Sequence, residues 1–290
     1  MTDFLNRCIM GVVTGGEKIA DYFATKAVTK NDKYVGHHAI VTPADYISQE
    51  AILRALRDAD SSFMTEEHVE DKNFRKRLIR ADSLERMKDS GVYIIDELDG
   101  SSSFSIGHYE WSISVGYVEN LEHRAGAVFA PKIDSGLLFY ASLGEGAFIE
   151  TKKVKKKIEV ARRVLNDAYI IFGVDSVLKK YPRHNRFVNE IGDLCRTTNF
   201  NGSCALPLGL VAAGKADALI QPPVCPWDWA GGKLIVEEAG GEVIFYEMEG
   251  DKIKRVDRLE VGHYHPEKRA VGFVAGHESL AEEIFRRLEK

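Results

Sequence analysis

The chain has 290 residues, 44 Asp and Glu against 39 Lys and Arg, and a formal net charge of -5, so it is long enough for one large domain or two with a sizeable core. At 44% hydrophobic and 29% charged residues it reads as globular rather than disordered or fibrous. The acidic balance excludes a broad phosphate-neutralising nucleic-acid surface, and at first sight it speaks against any phosphorylated substrate. The longest apolar runs, such as AVGFVAG (270–276), are strand length and far short of the roughly 18 residues of a spanning helix, so no membrane association is expected. The start, MTDFLNRCIMGVV, lacks a basic segment followed by a long apolar stretch, which makes the cytoplasm the expected location. Cys8, Cys195, Cys204 and Cys225 form no C-x-x-C pair and are expected to be reduced, packed thiols.

In chain order, Leu5, Ile9, Val12, Val13, Ile19, Tyr22 and Phe23 recur at helical spacing and predict a helix from Phe4 to about Lys26, weakened by Gly15 and Gly16. Thr42-Pro43-Ala44-Asp45 is a helix entry, followed by apolar residues up to Leu56. From Val92 the texture turns to strands: VYII, WSISVGYV, GAVFA, GLLFYAS and GAFIE. The lysine-rich KKVKKK (152–157) reads as an exposed edge strand or hairpin. Beyond it strand and helix alternate: AYIIFGV, then NRFVNEIGDL, a segment from Ser203 to Ala213, ADALI, WAGGKLIVEEA, GGEVIFYE, AVGFVAG and SLAEEIFRRLEK. A soft boundary near residue 160 divides an N-terminal α+β portion (1–160) from a C-terminal α/β portion (161–290).

The most informative stretch is GVYIIDELDGSSSF (91–104), where an apolar strand runs into Asp96, Glu97, Leu98, Asp99, Gly100 and three serines. Carboxylates at the carboxyl end of a strand sit where α/β sheets hold ligands, and clustered oxygen donors suit Mg²⁺, Mn²⁺ or Ca²⁺. The Gly-Ser-Ser run offers backbone N–H groups and hydroxyls for a phosphate; read blandly, it is a turn with capping residues. The acidic spacing does not fit an EF-hand, and the chain contains neither a P-loop nor a G-x-S-x-G nucleophile elbow. Two further segments could complete a metal site: MTEEHVE (64–70), with Glu66 and Glu67, and PWDWAGGKLIVEEAGG (226–241), with Asp228 at a helix start. Their bland alternatives are a solvated acidic face and a helix N-cap. Among the 9 His, the H-x-H pair His263 and His265 lies on a predicted strand, while His37, His38 and His108 suggest no ligand set. His68 is of interest only for its neighbours.

Taken together, these segments resemble the inositol monophosphatase/fructose-1,6-bisphosphatase superfamily, with its G-E-E, D-P-[IL]-D-G-[TS] and W-D-x-A-A/G-G…E-A-G-G signatures. VTPADYISQEAI (41–52), GEGAFIE (144–150) and GSCALPLGLVAAGKADA (202–218) extend the likeness across roughly residues 38 to 241. The resemblance implies an αβαβα sandwich of the sugar-phosphatase type. It implies that Glu66, Asp96, Asp99, Asp228 and the carbonyl of Leu98 hold two or three Mg²⁺ ions, with Mn²⁺ a substitute and Glu67 close by as a further ligand or catalytic neighbour. Asp45 and Ser101 would orient and deprotonate the attacking water. Gly100, Ser101 and Ser102 would hold the phosphate, and Gly202, Ser203, Gln221 and Asp228 would line the substrate.

Departures from the family sharpen the expectation. Glu97 replaces the Pro of D-P-x-D-G and is expected to point away from the ions. Ser103 stands where Asn is common, and Gln221 replaces a Glu that contacts inositol hydroxyls in relatives. The loop expected from Thr198 to Ser203 lacks the Arg of related enzymes, leaving Arg196 as a substitute. The implied activity is Mg²⁺-dependent hydrolysis of a small phosphate monoester, inositol 1-phosphate or fructose 1,6-bisphosphate, by a homodimer. The alternatives are a 3′-phosphoadenosine 5′-phosphate phosphatase and a non-catalytic metal- or phosphate-binding regulator. Clustered carboxylates that hold cations reverse the local field, which reconciles an acidic chain with a phosphate substrate.

Overall fold

Where the apolar residues fall determines how many layers the chain builds. The computed structural model describes residues 2–25, 31–32, 40–57, 60–173 and 181–290; His37, His38, Lys26 and Val174 lie outside them. Helices α1 (Asp3–Thr25) and α2 (Pro43–Ala55) are separated in the chain by a short ladder of β1 (Asn31–Asp32) and β2 (Ile40–Val41). Among the described residues, the first large sheet has seven strands in chain order: β3 (Ser62–Thr65), β4 (Gly91–Asp99), β5 (Ser112–Glu119), β6 (Glu122–Ala130), β7 (Leu137–Ser142), β8 (Gly146–Glu150) and β9 (Lys155–Lys157). Only β3 and β4 pair in parallel; the other neighbours are antiparallel.

The second sheet comprises β10 (Tyr169–Gly173), β11 (Thr197–Asn201), β12 (Ala218–Val224), β13 (Glu242–Glu249), β14 (Lys252–Val256) and β15 (Val271–Gly276). They lie in the order β11-β10-β12-β15-β13-β14, with β10 parallel to both of its neighbours. The remaining helices are α3 (Lys72–Arg75), α4 (Ser101–Ser105), α5 (Pro182–Gly192), α6 (Ala205–Ala212), α7 (Pro226–Glu238) and α8 (Glu278–Glu289).

Three apolar clusters weld these into five layers. Leu5, Val12 and Ile52 of α1 and α2 pack on Tyr93, Ile95 and Tyr117 of the first sheet. Its opposite face (Val92, Ile94, Phe139) meets Leu208 and Trp229 of α6 and α7, which in turn meet Ile171, Leu219 and Phe273 of the second sheet. The outer face of that sheet (Ile170, Phe172, Ile220) is covered by Phe187 of α5 and Ile284 and Leu288 of α8. Burying period-2 strands on both faces requires helices on both sides, and the outcome is the αβαβα sandwich that the sequence resemblance implies.

Helix α7 rides unusually close to the first sheet. A Cβ added at Gly126 would lie 2.3 Å from the Gly231 carbonyl oxygen, and one at Gly231 would lie 2.3 Å from Ser114 Oγ. The glycines of the W-D-W-A-G-G segment therefore set how near the start of α7, with Asp228, comes to the acidic strand β4.

Four local expectations are revised. Thr197–Asn201 forms edge strand β11, parallel to β10, rather than a loop. His263 sits in a 3₁₀ turn (Val261–Tyr264) and not in a strand, because its Nδ1 accepts the backbone N–H of Glu260 at 2.8 Å. Asp228 occupies the third position of α7; the N-cap is Cys225. VYII is only the beginning of β4, which continues through the acidic residues to Asp99. KKVKKK does end in an exposed edge strand, β9. Among the described residues, no helix is long and apolar enough to cross a membrane, and all four cysteines are free thiols.

Candidate active site

The acidic end of β4 is where local folding creates a site. Asp96 pairs with Ser114 while Asp99 pairs with Ser112, so three steps along β4 oppose two along β5: a β-bulge. A regular strand would send Asp96 and Asp99 to opposite faces; the bulge breaks that alternation and re-aims side chains. One carboxylate oxygen each from Asp96, Asp99 and Asp228 lies within 4.8 Å of the others, and the same holds for Glu66, Asp96 and Glu97. Asp96 belongs to both groups.

Each acid is held differently. Asp99 is buried at the N-terminal end of α6. Its Oδ1 accepts the N–H of Cys204 at 2.7 Å, and its Oδ2 accepts Ser112 Oγ at 2.8 Å, the N–H of Ala205 at 2.9 Å and the hydroxyl of Ser203. Burial raises its pKa and these bonds pull it back down. Asp228 closes a capping box at the head of α7, accepting the Cys225 N–H at 2.7 Å. Asp96 Oδ1 accepts the Leu98 N–H at 3.1 Å. Burial first, then the carboxylates of Glu66, Asp99, Asp228 and Glu97, push the Asp96 pKa well above the carboxylate range. Glu66 is half-buried, and a cleft of about 320 Å³ opens beside it and Glu67, walled by Ile79, Arg80 and Trp227. Glu67 is buried, and its carboxylate joins neither acidic group.

Next to the acids stands a hydroxyl–carboxylate pair. Asp45, the third residue of α2, uses Oδ2 to accept both the N–H and the hydroxyl of Thr42 at 2.7 Å, which fixes its rotamer. Its Oδ1 accepts Ser101 Oγ at 2.8 Å, and the same hydroxyl lies 3.0 Å from the Leu98 carbonyl. Burial raises the Asp45 pKa against the lowering effect of these hydrogen bonds. Gly100, at φ +97°, turns the chain from β4 into α4; a Cβ there would be 3.0 Å from the Glu110 carbonyl oxygen. Ser101 and Ser102 then open α4, with Ser102 exposed.

Several predicted residues stand elsewhere. Ser203 is buried and its hydroxyl is committed to Asp99, whereas Gly202 beside it is exposed. Gln221 is buried in β12 with its side chain over Gly173. Arg196 turns outward and pairs with Asp167 at 2.9 Å. His68 is exposed against Arg75 and belongs to neither acidic group. Contrary to expectation, Glu97 does not point away from the acids; its oxygen lies within 4.8 Å of those of Glu66 and Asp96. Sequence reading missed Gln49 and Ser112. Gln49 Nε2 donates to Glu97 Oε1 and to the Glu67 carbonyl, both at 2.8 Å. No local signal marks Ser112, since its role depends on cross-strand register.

The donor set is all hard oxygen, and the two groups have the span that a divalent cation with bonds of about 2.0–2.6 Å bridges. Buried carboxylates at such density are tolerated only with compensating charge. The residues present therefore fit divalent metal ions.

Five layers with a carboxylate cluster at a strand end define a metal-dependent phosphatase of the sugar-phosphatase type. The sequence profile of the inositol monophosphatase family matches residues 5–289, and the chain belongs to that family. It is 32% identical over 214 residues to a fructose-1,6-bisphosphatase/inositol-1-monophosphatase of Thermotoga maritima, covering 73% of each chain. It is 31% identical over 237 residues to the Nus factor SuhB of Pasteurella multocida, covering 80% of this chain and 79% of that one. Among solved structures, the extragenic suppressor protein SuhB of Bartonella henselae superposes with a TM-score of 0.79 at 24% identity, covering 100% of this chain and 99% of that one. An inositol monophosphatase from Thermotoga maritima gives 0.72 at 24% identity, covering 99% and 100%. These two likenesses bear on fold. The chain is a phosphoric monoester hydrolase of a metal-dependent family, and its acidic residues are able to hold a metal.

Proposed function

We propose that this protein hydrolyses a small polyol or sugar phosphate monoester, inositol 1-phosphate or fructose 1,6-bisphosphate, with two or three Mg²⁺ ions that Mn²⁺ can replace. Glu66, Asp96, Asp99, Asp228 and the Leu98 carbonyl hold the ions, with Glu67 alongside. Such ions lower the pKa of water from 15.7 to about 7 and offset charge on the phosphoryl group, so that no protein nucleophile is required. The Asp45–Ser101 pair orients the attacking water: Ser101 Oγ takes its proton by passing its own to Asp45, whose raised pKa suits it to receive one. The N–H groups of Ser101 and Ser102, left without carbonyl partners at the start of α4, and the Ser102 hydroxyl cradle the phosphate. Gly202, beside α6, and Asp228 line the sugar, while Ser203 acts through Asp99. The enzyme works as a homodimer in the cytoplasm.

The observation that carries this reading is the gathering of four carboxylates, those of Glu66, Glu97, Asp99 and Asp228, around Asp96, together with the Ser101–Asp45 hydrogen bond. The test is release of inorganic phosphate from a panel of inositol, fructose, adenosine and NADP phosphates, with Mg²⁺ and with chelator. Turnover of inositol or fructose phosphates that vanishes on chelation is expected; turnover that survives chelation contradicts the reading.

A further inference from the structure

Glu97 is the acid that neither the family signature nor the strand period explains. It is 1% exposed, and the amide of Gln49 fixes Oε1 at 2.8 Å while Oε2 has no hydrogen-bond partner. Leaving a buried carboxylate oxygen without a donor is among the costliest arrangements a fold can keep. Gln49 is itself buried, bound also to the Glu67 carbonyl at 2.8 Å, and so holds the Glu97 carboxylate in one orientation. Glu66 and Asp96 each bring a carboxylate oxygen within 4.8 Å of one on Glu97, an environment that a positive charge would relieve.

We propose that Glu97 is a direct metal ligand. With Glu66 and Asp96 it forms a cation position that shares Asp96 with the Asp96, Asp99 and Asp228 position, and Gln49 is its positioning residue. The inference rests on the metal-dependent reading above but extends its ligand set to a residue that stands where relatives carry Pro. Glu97 raises the first position from two carboxylates to the three that the Asp96, Asp99 and Asp228 position also has, so its loss should weaken the first position and spare the second.

The experiment is Mn²⁺ binding, followed by electron paramagnetic resonance and calorimetry, on the full chain and on Glu97→Gln, Glu97→Pro and Asp99→Asn. Removing even an outer partner of a metal ligand costs about ten- to a hundred-fold in affinity. Glu97→Gln and Glu97→Pro should each weaken one class of sites at least that much and leave the other unchanged. If Asp99→Asn weakens binding while both Glu97 variants bind as the parent does, the role of Glu97 is overturned and the metal reading stands. If no variant alters binding, the metal reading fails with it. Should the Glu97 variants not fold, anomalous scattering from Mn²⁺ in crystals of the parent decides. An ion within about 2.0–2.6 Å of Glu97 Oε2 is expected, and an ion on Glu66 and Asp96 with Glu97 out of contact overturns the proposal.

Discussion

The two flanks of the acidic cluster are built on opposite plans. On the α6/α7 side, Asp99 and Asp228 accept hydrogen bonds from helix-start backbone N–H groups, so their shape is fixed by the fold itself. On the α2 side, Glu97 is equally buried but receives one amide hydrogen bond, and it faces Glu66 and Glu67 rather than a helix start. One flank is a preorganised half-site. The other packs buried carboxylates against one another and is relieved by a bound cation or by protonation.

The largest effect that sharpens this contrast is on turnover. Ser101→Ala or Asp45→Asn removes the proton path beside the acids while leaving both flanks intact, and kcat should fall by about 10²–10⁴-fold. Mn²⁺ binding should stay at the parent level in equilibrium titrations, since neither side chain belongs to either acidic group. A matching loss of metal affinity would show the pair to be structural.

Stability separates the flanks next. Asp99→Asn presents an NH₂ group to backbone and hydroxyl donors, and each donor left unsatisfied costs about 1–3 kcal/mol. Denaturant unfolding with chelator present should show that loss. Glu97→Gln removes a buried charge yet keeps an amide oxygen that accepts the Gln49 Nε2 donor in place of Oε1, so the chelated protein should gain at least about 1 kcal/mol. Equal losses in the two variants would erase the distinction between the flanks.

The smallest effect is on pH dependence. Asp96 and Glu97 have folded-state pKa values raised well above their ordinary ones. In metal-free protein they bind more protons folded than unfolded, and their contribution to stability falls as pH rises from about 4, the ordinary carboxylate value, through the raised one. Buried His123 and His184 act in the other direction: their lowered pKa values cost stability as pH drops below about 6.5. That part is common to loaded and chelated protein and cancels in their difference. The gain in Tm on adding Mg²⁺ should therefore grow as pH rises above about 4, the ordinary carboxylate value; a flat difference would place the raised acids outside the metal positions.

How much of this was legible in the sequence follows from the range of the contacts involved. Strand and helix texture, the glycine turn after Asp99 and the helix entry before Asp45 are local signals, whereas the five-layer sandwich was implied by the family resemblance and not by texture. Asp228 looked like an N-cap because capping residues and third-position acids share a composition; only the Cys225 N–H fixes its place. The direction of Glu97 was hidden because a bulge is a mismatch between two strands, and β4 read alone predicts alternation. Ser203 and Ser112 serve Asp99 from 104 and 13 residues away, and Arg196 was drawn off by Asp167, a partner that no motif reveals. Thr198 to Ser203 read as a loop since a polar edge strand borrows its pairing from β10.

Asp96 is shared by both acidic groups, and in the proposed reaction it anchors the metal ions that drive hydrolysis. The most direct test is phosphate release by Asp96→Asn across a Mg²⁺ titration, with the fold checked by circular dichroism. Loss of several kcal/mol of metal-derived transition-state stabilisation corresponds to at least about a thousand-fold drop in kcat/KM that no Mg²⁺ concentration restores. A folded Asp96→Asn enzyme that keeps parental turnover at ordinary Mg²⁺ would show that Asp96 anchors no ion the hydrolysis needs.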